Sequence, residues 1–291
     1  MARHVQRPPP SGERPVQRDR RPRPPRHGGP PRPAAPIPSR PGGLDQLEGR
    51  NPVSECLQRR RREVHRVLVD EAARSHPKLD ALLQSAAARG IPVQRVPREA
   101  LDAMSETGVH NGVIAWTDPL PSPSLSQHLD ALQAAGREPF IVLVDEPQYE
   151  HNLGAVLRSA LGAGVSAVVV PAVRGKGVSA VVQRVAMGAA EEVPVIREGL
   201  SSCLAQLARR GVRIVGVELG GEPLWRVDLR GPLALVLGGE DKSLTAPLRK
   251  RCEAIATIPT QGGLQSLNLS VSAAVLMFER LRQLGAGGPQ R

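Results

Sequence analysis

Apolar and polar positions along this chain change period several times, and the changes mark out two α/β segments. From about Gly49, NPVSECLQRRRR has helical spacing, VHRVLVDE reads as a strand, and PKLDALLQSAAARG reads as a helix closed by Gly90. IPVQRVP then reads as a second strand, REALDAMS as a short helix, and NGVIAWTD as a third strand ending near Asp118. The pattern predicts a small α/β module over residues 49–118. PLPSPSLS, Pro119 to Ser126, has linker composition, so residues 119–137 are expected to connect this module to the next.

Over residues 138–285 strands and helices alternate. PFIVLVD, SAVVVP, VPVIRE, VRIVGVEL, PLALVLGG and AIATIP read as strands, several of them continuous apolar runs suited to a parallel sheet covered on both faces. GAVLRSALGAG, VSAVVQRVAMGAAEE, SSCLAQLARRG, TAPLRKRCE and LNLSVSAAVLMFERLRQ read as helices. Alternation of this kind predicts a doubly wound, parallel-sheet α/β domain, and no internal repeat interrupts it.

Composition adds a third region. Residues 1–43 are Arg, Pro and Gly with almost nothing to bury, so they are expected to be disordered, with PRPPR-type runs favouring extended polyproline II. Residues 1–66 hold 16 Arg and no Lys against 6 Asp and Glu, a net of +10 out of +11 for the whole chain. A basic block at one end predicts a polyanion partner, because arginines that neutralise phosphates release counterions. A solubilising extension has the same composition. The Arg59 to Arg62 run reads equally as a phosphate grip or as the wet face of a helix. Cys56, Cys203 and Cys252 lie far apart, without the spacing of a zinc site, and read as thiols in a reducing compartment. No stretch approaches the roughly 20 apolar residues of a spanning helix, and the start lacks the apolar core of a secretory signal. A cytosolic protein with no membrane partner is expected. Proline at nearly every third position also argues against the amphipathic helix of a transit peptide.

Three segments put polar side chains beside glycines at the ends of apolar runs, where an open α/β sheet holds its ligands: NLGAVLRS (Asn152 to Ser159), LGGE (Leu237 to Glu240) and IPTQGGLQSLNLS (Ile258 to Ser270). Taken singly, Asn152, Ser266 and Asn268 read as helix caps, Arg158 as a surface ion pair, and Gly238, Gly239 and Glu240 as a strand-to-turn sequence. Gly154 reads as a residue that lets the backbone turn tightly.

In combination the three segments resemble the signature motifs of the SpoU/TrmH family of RNA ribose 2'-O-methyltransferases, a branch of the SPOUT class. The order agrees, as do the gaps of 20 residues from Gly238 to Ile258 and 9 from Ile258 to Leu267. The resemblance covers residues 49–285 and implies a trefoil knot, S-adenosylmethionine as cofactor and no metal. It implies that the backbone at Gly238, Gly239, Ile258 and Leu267 holds the cofactor. It makes Arg158 the catalytic arginine, Asn152 its companion, and Glu240, Ser266 and Asn268 the rest of the catalytic pocket. VAMGAAEEVPV, Val185 to Val195, matches a recurrent segment in which Gly188 and Glu191 flank the site. Two departures border the pocket: GGEDKSL stands where relatives have GGEGxGL, and YEHN, with Glu150, where DPHN is common.

Residues 49–118 look like the small RNA-binding domain that many of these enzymes carry, with VHNGVIA matching its last strand. That accessory domain favours a target in ribosomal RNA, most like the bacterial enzymes that methylate a guanosine of 23S rRNA. A transfer-RNA enzyme, an antibiotic-resistance rRNA methyltransferase and a catalytically silent RNA-binding or ribosome-assembly protein are the alternatives. The resemblance also implies a homodimer through the C-terminal domain, compatible with an apolar last helix.

Overall fold

Apolar runs of period two and period 3.6 close into two sheets with helices against their faces. The computed structural model describes residues 38–145, 150–172, 177–239, 243–262 and 266–285. Most of the Arg/Pro-rich segment, residues 1–37, lies outside them, as does Glu240.

The first sheet has the order β1-β4-β2-β3, from β1 (Asp45–Glu48), β2 (Val64–Asp70), β3 (Val93–Val96) and β4 (Val113–Thr117). β4 runs antiparallel to both β1 and β2, and β2 is parallel to β3. Alternation along β2 sends Val67 and Val69 into a core with α1 (Arg50–Arg59) and α2 (Pro77–Ala88), and Leu68 to the other face with Leu101 of α3 (Arg98–Met104). β1 has no counterpart in the apolar pattern, because two of its buried positions are Gln46 and Glu48. Both are satisfied: Gln46 donates to Glu48 and to the Met104 carbonyl, while Glu48 accepts from the Ser105 and Thr107 hydroxyls and the Glu106 amide.

The second sheet is parallel throughout, with the order β10-β8-β9-β5-β6-β7. Its strands are β5 (Phe140–Val144), β6 (Ala167–Val170), β7 (Val195–Arg197), β8 (Arg213–Pro223), β9 (Leu233–Leu237) and β10 (Ala254–Thr257). Phe140, Val142 and Val144 face one core with α5 (Glu150–Ala163), α6 (Ala180–Ala186) and α9 (Leu269–Gln283). Ile141 and Leu143 face the other, with α4 (Leu125–Ala134), α7 (Leu200–Arg209) and the single turn α8 (Ala246–Arg249). Helices on both faces make this the doubly wound arrangement that the alternation predicts. No helix among the described residues is long and apolar enough to cross a membrane.

Three expected elements change. The stretch of linker composition ends at Ser124, whose hydroxyl accepts from the Gln127 amide while the Gln127 side chain accepts from the Ser124 amide. That capping box starts α4, and Leu125, Leu129 and Leu132 are buried. The expected helix VSAVVQRVAMGAAEE is broken, because Met187 and Gly188 both have positive φ after α6. The expected strand VRIVGVEL runs on to Pro223 with a jump in register against β10.

The Arg59 to Arg62 run divides: Arg59, Arg60 and Arg61 are exposed, as a wet helix end would be, and Arg62 is buried. Arg62 is buried after α1, where it donates to Glu191 and Gln183 at 2.5 Å, to Asp45 at 3.2 Å and to the Asp118 carbonyl at 3.1 Å. Arg59 pairs with Glu192 at 2.8 Å and Arg61 donates to its carbonyl. A Cβ at Gly188 would lie 2.2 Å from Glu55 Cγ. Gly188 and Glu191 therefore serve the contact between α1 and the turn after α6.

Candidate active site

The carboxyl ends of β8, β9 and β10 meet at one edge of the parallel sheet. β8 stays in register with β9 through Val217 opposite Leu237, but on its other side Ile255 of β10 faces Gly216 and the next residue, Ala256, faces Glu222. Residues 217–221 are thereby looped out of the β8–β10 ladder. Glycine makes the loop possible: a Cβ on Gly221 would sit 2.4 Å from the Ile255 carbonyl oxygen, and one on Gly216 2.7 Å from Leu244.

Beneath the loop lies a cavity of about 420 Å³. Leu237, Gly238 and Gly239 line it from the end of β9, Ile258 from the end of β10, and Ser266 and Leu267 from the segment before α9. Five of the nine predicted site residues thus meet in one cavity: Gly238, Gly239, Ile258, Ser266 and Leu267. Val217 to Leu219, Ser243, Thr260 and Ser272 also line it; of these, Ser243 belongs to the GGEDKSL departure and Thr260 to the third motif. The paired glycines at 220 and 221 were the available signal for the loop. Backbone with small side chains, bounded by the apolar groups of Leu237 and Ile258, suits a flat heterocycle attached to a polar chain, so the cavity fits S-adenosylmethionine.

Asn268 is the N-cap of α9, accepting from the amides of Ser270 at 2.9 Å and Val271 at 3.4 Å and from the Ser270 hydroxyl at 2.6 Å. Its amide nitrogen donates to Asn152 Oδ1 at 3.1 Å. Asn152 is not a cap. It is buried within the first turn of α5, and the contact ties the starts of α5 and α9 together. Gly154 also differs from its expected role. It lies inside α5, where a Cβ would come 2.6 Å from Val185 Cβ and 2.9 Å from the Val182 carbonyl oxygen, so it permits close packing on α6 rather than a tight turn. Arg158 is exposed on α5 and outside the cavity lining; among the described residues it makes no hydrogen bond or ion pair.

The surroundings of all three thiols disfavour the thiolate. Burial, reinforced by the Glu191 charge, pushes Cys56 up to about 11. Burial and Glu198 push Cys203 up to about 12, and burial raises Cys252. Glu63, His65 and Asp118 form a grouping of possible metal ligands on the first sheet, and none of them lines the cavity.

Residues 139–278 match the SpoU rRNA methylase family, and residues 46–123 match the RNA 2'-O ribose methyltransferase substrate-binding family. A 23S rRNA (guanosine-2'-O-)-methyltransferase RlmB of Pseudomonas putida is 35% identical over 242 residues, 82% of this chain and 97% of that protein. The chain belongs to the SpoU rRNA methylase family. Another SpoU relative, the RlmB of Xanthomonas campestris pv. campestris, is 38% identical over 245 residues, again 97% of its length. Among solved structures, an RNA 2'-O ribose methyltransferase superimposes with a TM-score of 0.71 at 28% identity, covering 83% of this chain and 89% of that one. The SpoU methyltransferase AviRb of Streptomyces viridochromogenes shares the fold, with a TM-score of 0.70 at 22% identity over 84% of this chain and 92% of that one.

Proposed function

We propose that this SpoU-family enzyme methylates the ribose 2'-oxygen of a guanosine in 23S rRNA with S-adenosylmethionine as donor. The observation that carries the reading is the cavity lined by Gly238, Ile258 and Leu267 at the strand ends, with Asn268 hydrogen-bonded to Asn152 beside it. Relatives at 35% and 38% identity that carry the 23S rRNA guanosine name support the choice of target.

S-adenosylmethionine supplies an electrophilic methyl on a sulfonium, so the carbon–sulfur bond breaks as the bond to the 2'-oxygen forms. The residues have to align and desolvate the two reactants, where most of the available rate gain lies. Gly238, Gly239, Ile258 and Leu267 hold the donor through backbone groups. Asn152, fixed by Asn268, orients the ribose together with Ser266, and Glu240 accepts from the base edge or from Arg158. Arg158 keeps its charge at any working pH, so it cannot serve as the base. It binds the target phosphate and offsets charge developing on the 2'-oxygen, and the proton passes to a neighbouring phosphate oxygen or to solvent.

In this reading residues 49–118 gather RNA, residues 138–285 carry out transfer in a knotted cytosolic protein, and the arginines of residues 1–43 tether polyanion. Val271, Val275 and Phe278 on α9 and Leu161 on α5 are exposed apolar side chains, which supports a homodimer through this face. Arg158 precedes Leu161 by one turn, so the partner subunit would border the site.

Labelled-methyl transfer to 23S rRNA transcripts tests the proposal. Arg158→Ala should lower transfer by about 10²–10³-fold with S-adenosylmethionine binding retained. Wild-type protein that binds the donor but labels no ribosomal RNA would overturn it.

A further inference from the structure

A second concavity, of about 570 Å³, lies between the first sheet's helices and α6. Arg50 and Asn51 line it from the start of α1, His76 and Lys78 from the start of α2, and Arg184 and Met187 from the end of α6. Two helix N-termini therefore face one cleft. Gly49 gives α1 no side-chain cap, and its first-turn amides add their partial positive charge to that of α2. A single helix start would mean little, but here three cations stand with them. Arg50 donates to the Asn111 carbonyl and Lys78 to the Asn51 side chain, both neutral acceptors, so neither charge is compensated. Arg184 has its Nε buried without an acceptor and makes no ion pair among the described residues.

Two carboxylates also line the cleft, and both are engaged. Glu48 is held by Ser105, Thr107 and the Glu106 amide, and Asp70 by the Ala72 amide and Arg98. Uncompensated charge at the cleft is positive. A solvated cationic face would spread such side chains over a convex surface and leave no guanidinium nitrogen buried and unpaired. Instead, segments distant in sequence converge on a concavity whose two carboxylates are already engaged and whose remaining charged groups are donors, which suits phosphate oxygens. The exposed side chain of Met187, beside the Asn51 amide, offers an apolar surface and a donor for a base.

We infer that this cleft grips the backbone phosphates of the RNA strand next to the methylated nucleotide. The inference rests on the methyltransferase reading for its choice of polyanion. Position supports it too: α6 carries Arg184 on one side and packs on α5 through Val185 against Gly154, two residues beyond Asn152. A strand held by Arg184 is one helix away from the cavity.

The test compares 23S rRNA binding, methyl transfer and S-adenosylmethionine binding in the full chain. Arg184→Gln with Lys78→Gln should weaken RNA binding about tenfold or more and make the slope of log K against log salt shallower by about 1.5, with donor affinity unchanged. Arg209→Gln with Lys250→Gln, exposed at the ends of α7 and α8 on the other face of the second sheet, is the charge-matched control and should change neither. Asn51→Asp separates folding from binding, because an acid in the first turn of α1 favours the helix yet repels phosphate. It should leave thermal stability equal or higher while RNA affinity falls. RNA affinity and salt slope unchanged in these cleft variants would overturn the inference, and if methyl transfer persists the enzyme reading stands. Cleft-dependent RNA binding without methyl transfer would do the reverse. Failure of wild-type protein to bind ribosomal RNA would overturn the cleft.

Discussion

Asn268 illustrates how one residue serves both fold and site: its carbonyl oxygen caps α9 and its amide nitrogen fixes Asn152. The cap was legible in the sequence, whereas the partner 116 residues away required the packed helices. Glu48 is a second such residue. Burial drives its pKa up, but hydrogen bonds from Thr107, Ser105, the Glu106 amide and Gln46 outweigh it and hold the carboxyl below its ordinary 4.5. A folded-state value below the unfolded one contributes stability that is full above about pH 4.5 and is lost as pH falls through the folded value. Glu48→Gln should therefore cost about 1–3 kcal/mol at neutral pH, because its amide cannot accept from all these donors. The gap to wild type should narrow in urea titrations below pH 4.5. A constant gap across pH would show that shape, not charge, matters there.

At the scale of elements, periodicity located five of the six parallel strands closely and the helices of the second sheet in outline. It misjudged those whose signal is polar or tertiary. β1 escaped because its buried positions are Gln46 and Glu48, and α4 because its Pro/Ser-rich entrance looks like a linker until the Ser124–Gln127 capping box is counted. Gly154 was legible as special but not for the right reason: the α5–α6 approach needs a missing side chain, and no local pattern carries that information. Gly154→Ala should force α6 away and cost about 1–3 kcal/mol. It should also lower methyl transfer more than donor binding, since α5 carries Asn152. Thermal unfolding and a kcat-against-KM comparison check both, and an unchanged melting temperature would refute the packing claim.

For the whole molecule, the decisive contact is the buried Arg62–Glu191 pair with Gln183 and Asp45, which joins the first sheet's segment to the turn after α6. Truncating one partner leaves a buried charge, so Arg62→Met should cost about 3–5 kcal/mol, while Arg62→Met with Glu191→Met should cost less than either single change. Denaturant curves on the four proteins measure this, and additive losses would refute coupling. The α9 face makes a separate prediction. With Val271, Val275 and Phe278 at 48%, 38% and 47% exposure, Phe278→Glu should convert a dimer to a monomer in sedimentation, whereas a monomeric wild type would remove the dimer from the proposal.

Local order in the chain was enough to establish alternating strands and helices, the three glycine-bounded motifs and the concentration of charge before Val67. Each depends on spacing along the chain or on composition, and these survive without knowledge of partners. The cavity under residues 217–221, the Asn152–Asn268 contact, the burial of Arg62 and the convergence of Arg50, Lys78 and Arg184 all join distant segments. Their energies come from desolvation and close approach, which exist only once the sheets and helices have packed.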